Sequence, residues 1–445
     1  MNTAPAISAI PKFSGLPLVG NLFDFRRDRI GLVQRIAAKC GDVGFMRLGP
    51  FRVIVLSGPE PIHAALVDHP DAFIKSLGLR RYGRPLVGQG ILSSEGDLHK
   101  RQRRLLGPAF SQRRLVTYAD RMVEEAVRFA DALVDGSTVN LADEMMELTL
   151  AIVGKVLFDV DVQHEASTIH HALTEAMKYM VVSISSLVNF PYRWPTPRNR
   201  KMHHAVAALD AIVYRIIAER RQNPGDRGDV LSMLLEARDD DGSAMSDQQI
   251  RDEVMTLILA GHETTANALA WTWQLLVTHP LVYDQVTQEI ETVLGGRRPT
   301  FADLPQLPLV HQVIKESMRL YPPAYLTARE AIADVDIGAV KVSKGGFVAI
   351  NIFGMHHRAD LFPDPEEFRP ERFAADEEKK IPKGAYLPFG AGPRVCIGNH
   401  FAMMEIALLL TAIAQKHRFA PLNKDFPEPE PLVTLRPRGG VLAQV

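Results

Sequence analysis

Several features are scarce in this chain of 445 residues, and each scarcity removes a class of protein. Only two cysteines occur, Cys40 and Cys396, at opposite ends. They allow one disulfide at most, which excludes a cystine-stapled scaffold; with no secretory signal ahead of them, a reduced cytoplasmic setting is expected. An excess of one charge sign is also missing, since 51 Lys and Arg stand against 52 Asp and Glu. No global field would recruit nucleic acid. The N-terminus lacks a long apolar run: MNTAPAISAIPKFSGLPLVG is broken by Pro5, Pro11 and Pro17 and falls short of the roughly 20 apolar residues a membrane span needs. Residues 1–22 therefore read as an extended proline-rich lead-in, with no membrane span. Neither a fixed-period repeat nor a low-complexity segment is present.

Hydrophobic residues make up 46% and charged residues 23%, enough apolar material for a large core. Helical periodicity dominates, with apolar residues recurring at three and four over 29–39, 99–106, 113–134, 143–158 and 309–320. VGFMRLGPFRVIVLS, centred on Gly49-Pro50, predicts a β-hairpin over 43–57. Short strands are expected over 325–331 and 347–351, and a glycine hairpin over 434–445. A long loop is expected over 77–96, which holds five glycines, and an irregular proline-rich stretch over 362–388. The longest helical pattern, 246–279, is opened by a capping box of Ser246 and Gln249 and stopped by Pro280. It is apolar on most sides and should run through the core. The fold class expected is mainly α with a minor β part, in a single domain over 1–445.

Chemistry concentrates in a few stretches. In LPFGAGPRVCIGNH, Cys396 sits between a glycine-rich turn and a helical pattern over 399–416. A thiol just ahead of a helix N-terminus meets orphan N–H groups and the positive end of the helix dipole, which favour the thiolate. Gly390, Gly392 and Gly398 let a flat ligand approach closely, and Arg394 offers a guanidinium fork to an anion on it. An axial metal ligand and a nucleophile both suit this placement. Within the long helix, AGHETT (Ala260 to Thr265) interrupts an apolar run. A glycine there costs about 1 kcal/mol against alanine, and a buried acid costs more unless it is used. Gly261 makes room above something flat, and Thr264 can bond back to a carbonyl or hold water; a polar patch on an exposed helix is the plainer alternative. Glu316 and Arg319, in KESMRLYPP, share a helix face, and Arg372 of FRPERF could join them in a buried triad. His262-Glu263 is no zinc motif, because Ala266 stands where the second histidine would be. The pairs His170-His171, His203-His204 and His356-His357 read as surface residues, and Cys40 as structural.

Taken in order, AGHETT, Glu-x-x-Arg, FRPERF and FGAGPRVCIG resemble the cytochrome P450 family. The last stretch carries the family's Phe-x-x-Gly-x-Arg-x-Cys-x-Gly at every defined position: Phe389, Gly392, Arg394, Cys396 and Gly398. The resemblance runs from Pro11 to the C-terminus. It implies the P450 fold, with haem b (iron protoporphyrin IX) between the long central helix and the cysteine-ligand helix. Cys396 would be the axial thiolate ligand of the haem iron, which in this family pushes electron density toward the metal. Phe389 would pack beside the sulfur, and Ala260 and Gly261 would face the haem. His99, Arg103, Arg329 and Arg394 would pair its propionates. Glu316, Arg319 and Arg372 would form a structural triad, while Thr264 and Glu263 would be the catalytic pair that delivers protons during oxygen reduction.

The activity so implied is a haem-thiolate monooxygenase that inserts one atom of dioxygen into a C–H bond of an apolar substrate: a fatty acid, terpenoid or steroid-like molecule. Other readings are a haem-binding sensor or carrier and a non-redox isomerase or dehydratase of the same family. The chain has no space beyond the haem domain for a fused reductase, so a ferredoxin and its reductase are the expected electron donors, and a monomer the expected state. Outward-facing members of the basic run Lys100 to Arg104 could meet such an acidic partner. By position, residues 77–92, 180–190 and 324–327 with Leu257, Ala260 and Leu435 would line the pocket.

Overall fold

The long central helix, Asp247–Thr278, organises the fold. The Ser246 side chain accepts from the Gln249 N–H at 3.2 Å, and the Gln249 side chain accepts from the Ser246 N–H at 2.9 Å, so the expected capping box opens it. Its 32 residues span about 48 Å. From Val254 to Val277 every residue is buried except Ala260, Gly261 and Thr264. Helices Leu141–Leu157, Pro197–Gln222, Pro308–Leu320 and Asn399–Ala414 pack against it. The computed structural model describes residues 10–186, 188–238, 242–338, 340–422 and 425–445; the first nine residues of the lead-in lie outside the described residues.

The minor β part is a five-stranded sheet in the order Val43–Leu48, Phe51–Leu56, Phe347–Ile350, Thr327–Ala331, Phe73–Lys75. The hairpin predicted around Gly49-Pro50 is present, with Leu48 opposite Phe51. The second hairpin strand then runs parallel to Phe347–Ile350, and the edge strand sets Lys75 directly opposite Arg329. The architecture is thus mainly α with a minor sheet part.

Some local expectations change. The loop expected over 77–96 begins with two helical turns, Leu79–Gly83 and Arg84–Val87. The C-terminal segment is not a hairpin. Leu435–Pro437 pairs with Pro429–Pro431, whereas Leu442–Gln444 pairs with Thr138–Asn140 and Ala420–Pro421. Gly439 and Gly440, at φ 77° and 85°, turn the chain from one sheet to the other. The lead-in bridges Phe45 through Lys12, and helix Leu22–Arg27 begins at its last residue. His356 and His357 are buried, not on the surface. His356 Nε2 accepts the Leu387 N–H at 3.0 Å, which ties the segment ahead of Cys396 to the core.

Candidate active site

Cys396 lies three residues ahead of helix Asn399–Ala414, and its N–H donates to the Phe389 carbonyl at 3.0 Å, closing the turn between them. Its side chain keeps solvent-accessible surface. Burial nevertheless pushes the thiol above its usual range, outweighing the Gly398 N–H and the Arg103 charge that favour the thiolate. The Gly398 N–H and the Arg103 charge act in the direction that the helix terminus implies, and burial opposes them. Desolvation wins because one N–H and one screened cation replace a full hydration shell. The cysteine's helix packs on the central helix. On the latter, Ala260 and Thr264, one turn apart, present the accessible spot, with the Thr264 hydroxyl donating to the Ala260 carbonyl at 2.6 Å.

Gly261 also has a packing role. A side chain there would meet Val153 Cγ2 at 3.0 Å, so the glycine lets helix Leu141–Leu157 close on the central helix. Ala260, Gly261 and Thr264 together form the accessible face of the helix.

Four basic side chains, Lys75, Arg103, Arg329 and Arg394, gather with His99 near one acid. Glu95 binds the Lys75 N–H at 2.6 Å and ion-pairs with Arg394, whose Nη1 is buried with no partner among the described residues. Arg103 Nη1 donates to the Val395 carbonyl at 2.7 Å, next to the cysteine. Burial, reinforced by the Arg394 charge, lowers Arg329 to about 10 and Lys75 to about 7. His99 falls to about 4, from burial first and then Lys75, Arg394 and Arg103. Like charges placed opposite each other in a sheet, as Lys75 and Arg329 are, destabilise it unless an anion compensates. The donor set and the orphaned guanidinium nitrogen fit a ligand with two carboxylates, such as haem. His99, Arg103, Arg329 and Arg394 were legible in the sequence. Lys75 was not, because a three-residue strand carries no sign of its partner.

Glu263 is 1% exposed and gripped by Arg436, whose Nε and Nη2 reach its two oxygens at 2.6 and 2.7 Å. The Thr434 hydroxyl donates at 2.6 Å and Asn267 at 3.2 Å. Burial alone would raise this carboxyl, but the Arg436 guanidinium and its hydrogen bonds outweigh that and hold it below the usual range. Arg436, in the C-terminal strand, had no signal in the sequence beyond its position.

Elsewhere, Glu316 and Arg319 are fully buried and form a bidentate pair at 2.7 and 2.8 Å. Arg372 joins at 3.2 Å, and the Arg369 N–H adds a fourth bond to the carboxylate at 3.1 Å. Arg319 also donates to the carbonyls of His356, Pro365 and Glu367, tying down the irregular proline-rich stretch. Among the described residues no group of three or more His, Cys, Asp or Glu could hold a metal ion. No described helix is long and apolar enough to cross a membrane.

Comparison with known proteins agrees with this geometry. The family model for cytochrome P450 matches residues 10–443. Cyclooctatin synthase of Streptomyces melanosporofaciens is 36% identical over 95% of this chain and 92% of its own. From the same organism, cyclooctat-9-en-7-ol 5-monooxygenase is 35% identical over 92% of this chain and 88% of its own. Pentalenene oxygenase of Streptomyces avermitilis is 30% identical over 91% and 89%. An accessible cysteine ahead of a helix, a basic cluster suited to two carboxylates and a match over nearly the whole length lead to one conclusion: this chain belongs to the cytochrome P450 family and is a haem-thiolate monooxygenase.

Proposed function

We propose that the protein uses haem b to insert one oxygen atom from dioxygen into a C–H bond of an apolar terpenoid, and that residues 1–445 act as a single haem-thiolate domain. The observation that carries this reading is the accessible spot at Ala260 and Thr264 in an otherwise buried, apolar helix. Two relatives are named for oxidising cyclooctat-9-en-7-ol and pentalenene, which favours a terpenoid over a fatty acid. Met180 lies 3.1 Å from where a side chain at Gly83 would project, and Ile184 at 3.0 Å from the same point at Gly78. Helix Ala166–Ile184 and the turns after residue 77 thus form an aliphatic wall. Ala324 is exposed, whereas Leu435 is fully buried against Tyr325 and Phe353 and offers no lining surface.

Haem, once bound, supplies the iron at which dioxygen is activated. Cys396 would give its sulfur as axial ligand, and His99, Arg103, Arg329 and Arg394 would hold the propionates. The Thr264 hydroxyl donates its one proton to the Ala260 carbonyl, so its Oγ1 lone pairs are left to accept a hydrogen bond from a proton donor beside them. Glu263 is the acid nearest in sequence; as a shuttle it must leave Arg436, so the pair meters proton delivery. Electrons would come from a ferredoxin and its reductase, with exposed Lys100 on the docking face.

Replacing Thr264 with Ala tests the central role. NADPH consumption should continue while hydrogen peroxide replaces oxidised product; full coupling in the variant would remove Thr264 from proton delivery. Charge reversal at Lys100 and Arg101 should slow reduction by the ferredoxin at low salt, and an unchanged rate would discard that docking face.

A further inference from the structure

The residues between helical turn Arg84–Val87 and helix Gly96–Leu106 are held to the central helix through their backbone. The Gln89 N–H donates to Asp252 at 2.8 Å, and Gln102 donates to the Gln89 carbonyl at 2.6 Å. A side chain at Gly88 would strike the Asp252 carboxylate, and one at Gly90 the Thr256 hydroxyl, so the backbone lies directly on the helix. Ile91 is held on both of its polar groups. Its N–H donates to Glu253 Oε2 at 3.0 Å, and its carbonyl accepts from Lys75 Nζ at 2.8 Å. Lys75 Nζ reaches the Ser94 carbonyl as well, at 2.8 Å.

Both clamping side chains are ionisable groups taken out of water: Glu253 is 0% exposed and Lys75 6%. The second oxygen of Glu253 is buried without a hydrogen-bond partner among the described residues. Burial raises Glu253 to about 7 and lowers Lys75 to about 7, and each charge partly relieves the other. Apolar side chains would hold a loop here at less expense. Buried ions act where one arrangement must be selected over near alternatives, because any slip leaves a charge unpaired. The clamp sits between two functional ends. Before it, the turns at 79–87 pack on Met180 and the helix that ends at Ile184. After it, Glu95 holds Arg394, and the next helix carries His99 and Arg103.

We propose that Lys75 and Glu253 are positioning residues that lock Ile91, and with it residues 88–94, in one register, and thereby set which apolar substrates the pocket accepts. This rests on the reading that residues 77–92 border that pocket. A shift of the loop by one residue would move its apolar side chains relative to the wall of Met180 and Ile184 while breaking both bonds at Ile91.

The test uses full-length, haem-loaded protein and the variants Glu253→Leu, Glu253→Gln and Lys75→Met. Amide exchange over residues 88–94 should rise at least about tenfold in Glu253→Leu and Lys75→Met, the size expected when a hydrogen bond to a charged group is lost. Glu253→Gln, whose amide oxygen still accepts the Ile91 N–H, should stay within about threefold of the parent. Affinities from ligand-induced shifts of the haem absorption should change unequally: the ratio between a compact cyclic terpene and a long acyclic one should move at least about fivefold in Glu253→Leu and return in Glu253→Gln. Unchanged exchange in both Glu253→Leu and Lys75→Met overturns the clamp. Raised exchange with an unchanged affinity ratio overturns its selecting role. If no terpenoid shifts the parent protein, the terpenoid reading fails instead, and the ratio is taken between fatty acids of two chain lengths.

Discussion

Substituting Arg436 with Met would leave Glu263 buried in the central helix with only Thr434 and Asn267 as donors. Removing one partner of a buried ion pair costs about 3–5 kcal/mol, because the remaining charge is desolvated without compensation. The pH dependence separates this cause from simple loss of packing. In the parent, the Glu263 carboxyl lies below its ordinary value of 4.5, so the stability from the pair is present above that value and is lost as acid protonates the folded state. In Arg436→Met only burial remains dominant and the carboxyl rises. The unfolded chain then releases its proton at lower pH than the folded one, and the variant loses stability as pH increases. Its deficit against the parent should widen between about pH 5 and pH 8, with a slope of up to about 1.4 kcal/mol per pH unit. Urea unfolding of the haem-loaded protein, followed by far-ultraviolet circular dichroism at each pH, measures it. A deficit below about 1 kcal/mol, or one equal at every pH, would refute the account of Glu263 as a charge held by Arg436. The double variant Arg436→Met/Glu263→Gln should recover most of the loss, since no charge is then buried.

Glu316→Ala strands Arg319 with no exposed surface, and the urea midpoint should fall by an equivalent of about 3–5 kcal/mol. Arg394→Leu should weaken haem retention roughly 10- to 100-fold, as read from transfer to apomyoglobin, the size of one or two charge-assisted hydrogen bonds. Gly90→Ala should lose about 1–3 kcal/mol in thermal unfolding, because its methyl would overlap the Thr256 hydroxyl and the Asp252 carbonyl. Ser246→Ala removes the cap of the central helix and should cost about 1 kcal/mol in the same measurement.

Whatever depends on neighbours three or four residues away was legible in the chain alone. The capping box at Ser246 and Gln249, the shared face of Glu316 and Arg319, and the turn from Phe389 to Cys396 are contiguous patterns, and the structure shows their hydrogen bonds. The ordered motifs pointed to the haem-thiolate family in the same way, through residue types at short, fixed spacings. What escaped is what folding brings together from far apart. Lys75 meets Arg329 and Glu253, and Glu263 meets Arg436, across separations that no local period encodes. For the thiol of Cys396 the chain showed one side of a balance only. Its helix terminus could be read from the chain, but the desolvation that outweighs that terminus exists only once other segments have closed around the sulfur. The two C-terminal strands read as one hairpin because they are adjacent in sequence, and they part because better partners, Pro429–Pro431 and Thr138–Asn140, lie in different sheets. Sequence alone thus determined the family and the central helix. The tertiary structure decided which charges are paired, because pairing in a low-dielectric interior is settled by distance and burial, and neither exists in a linear chain.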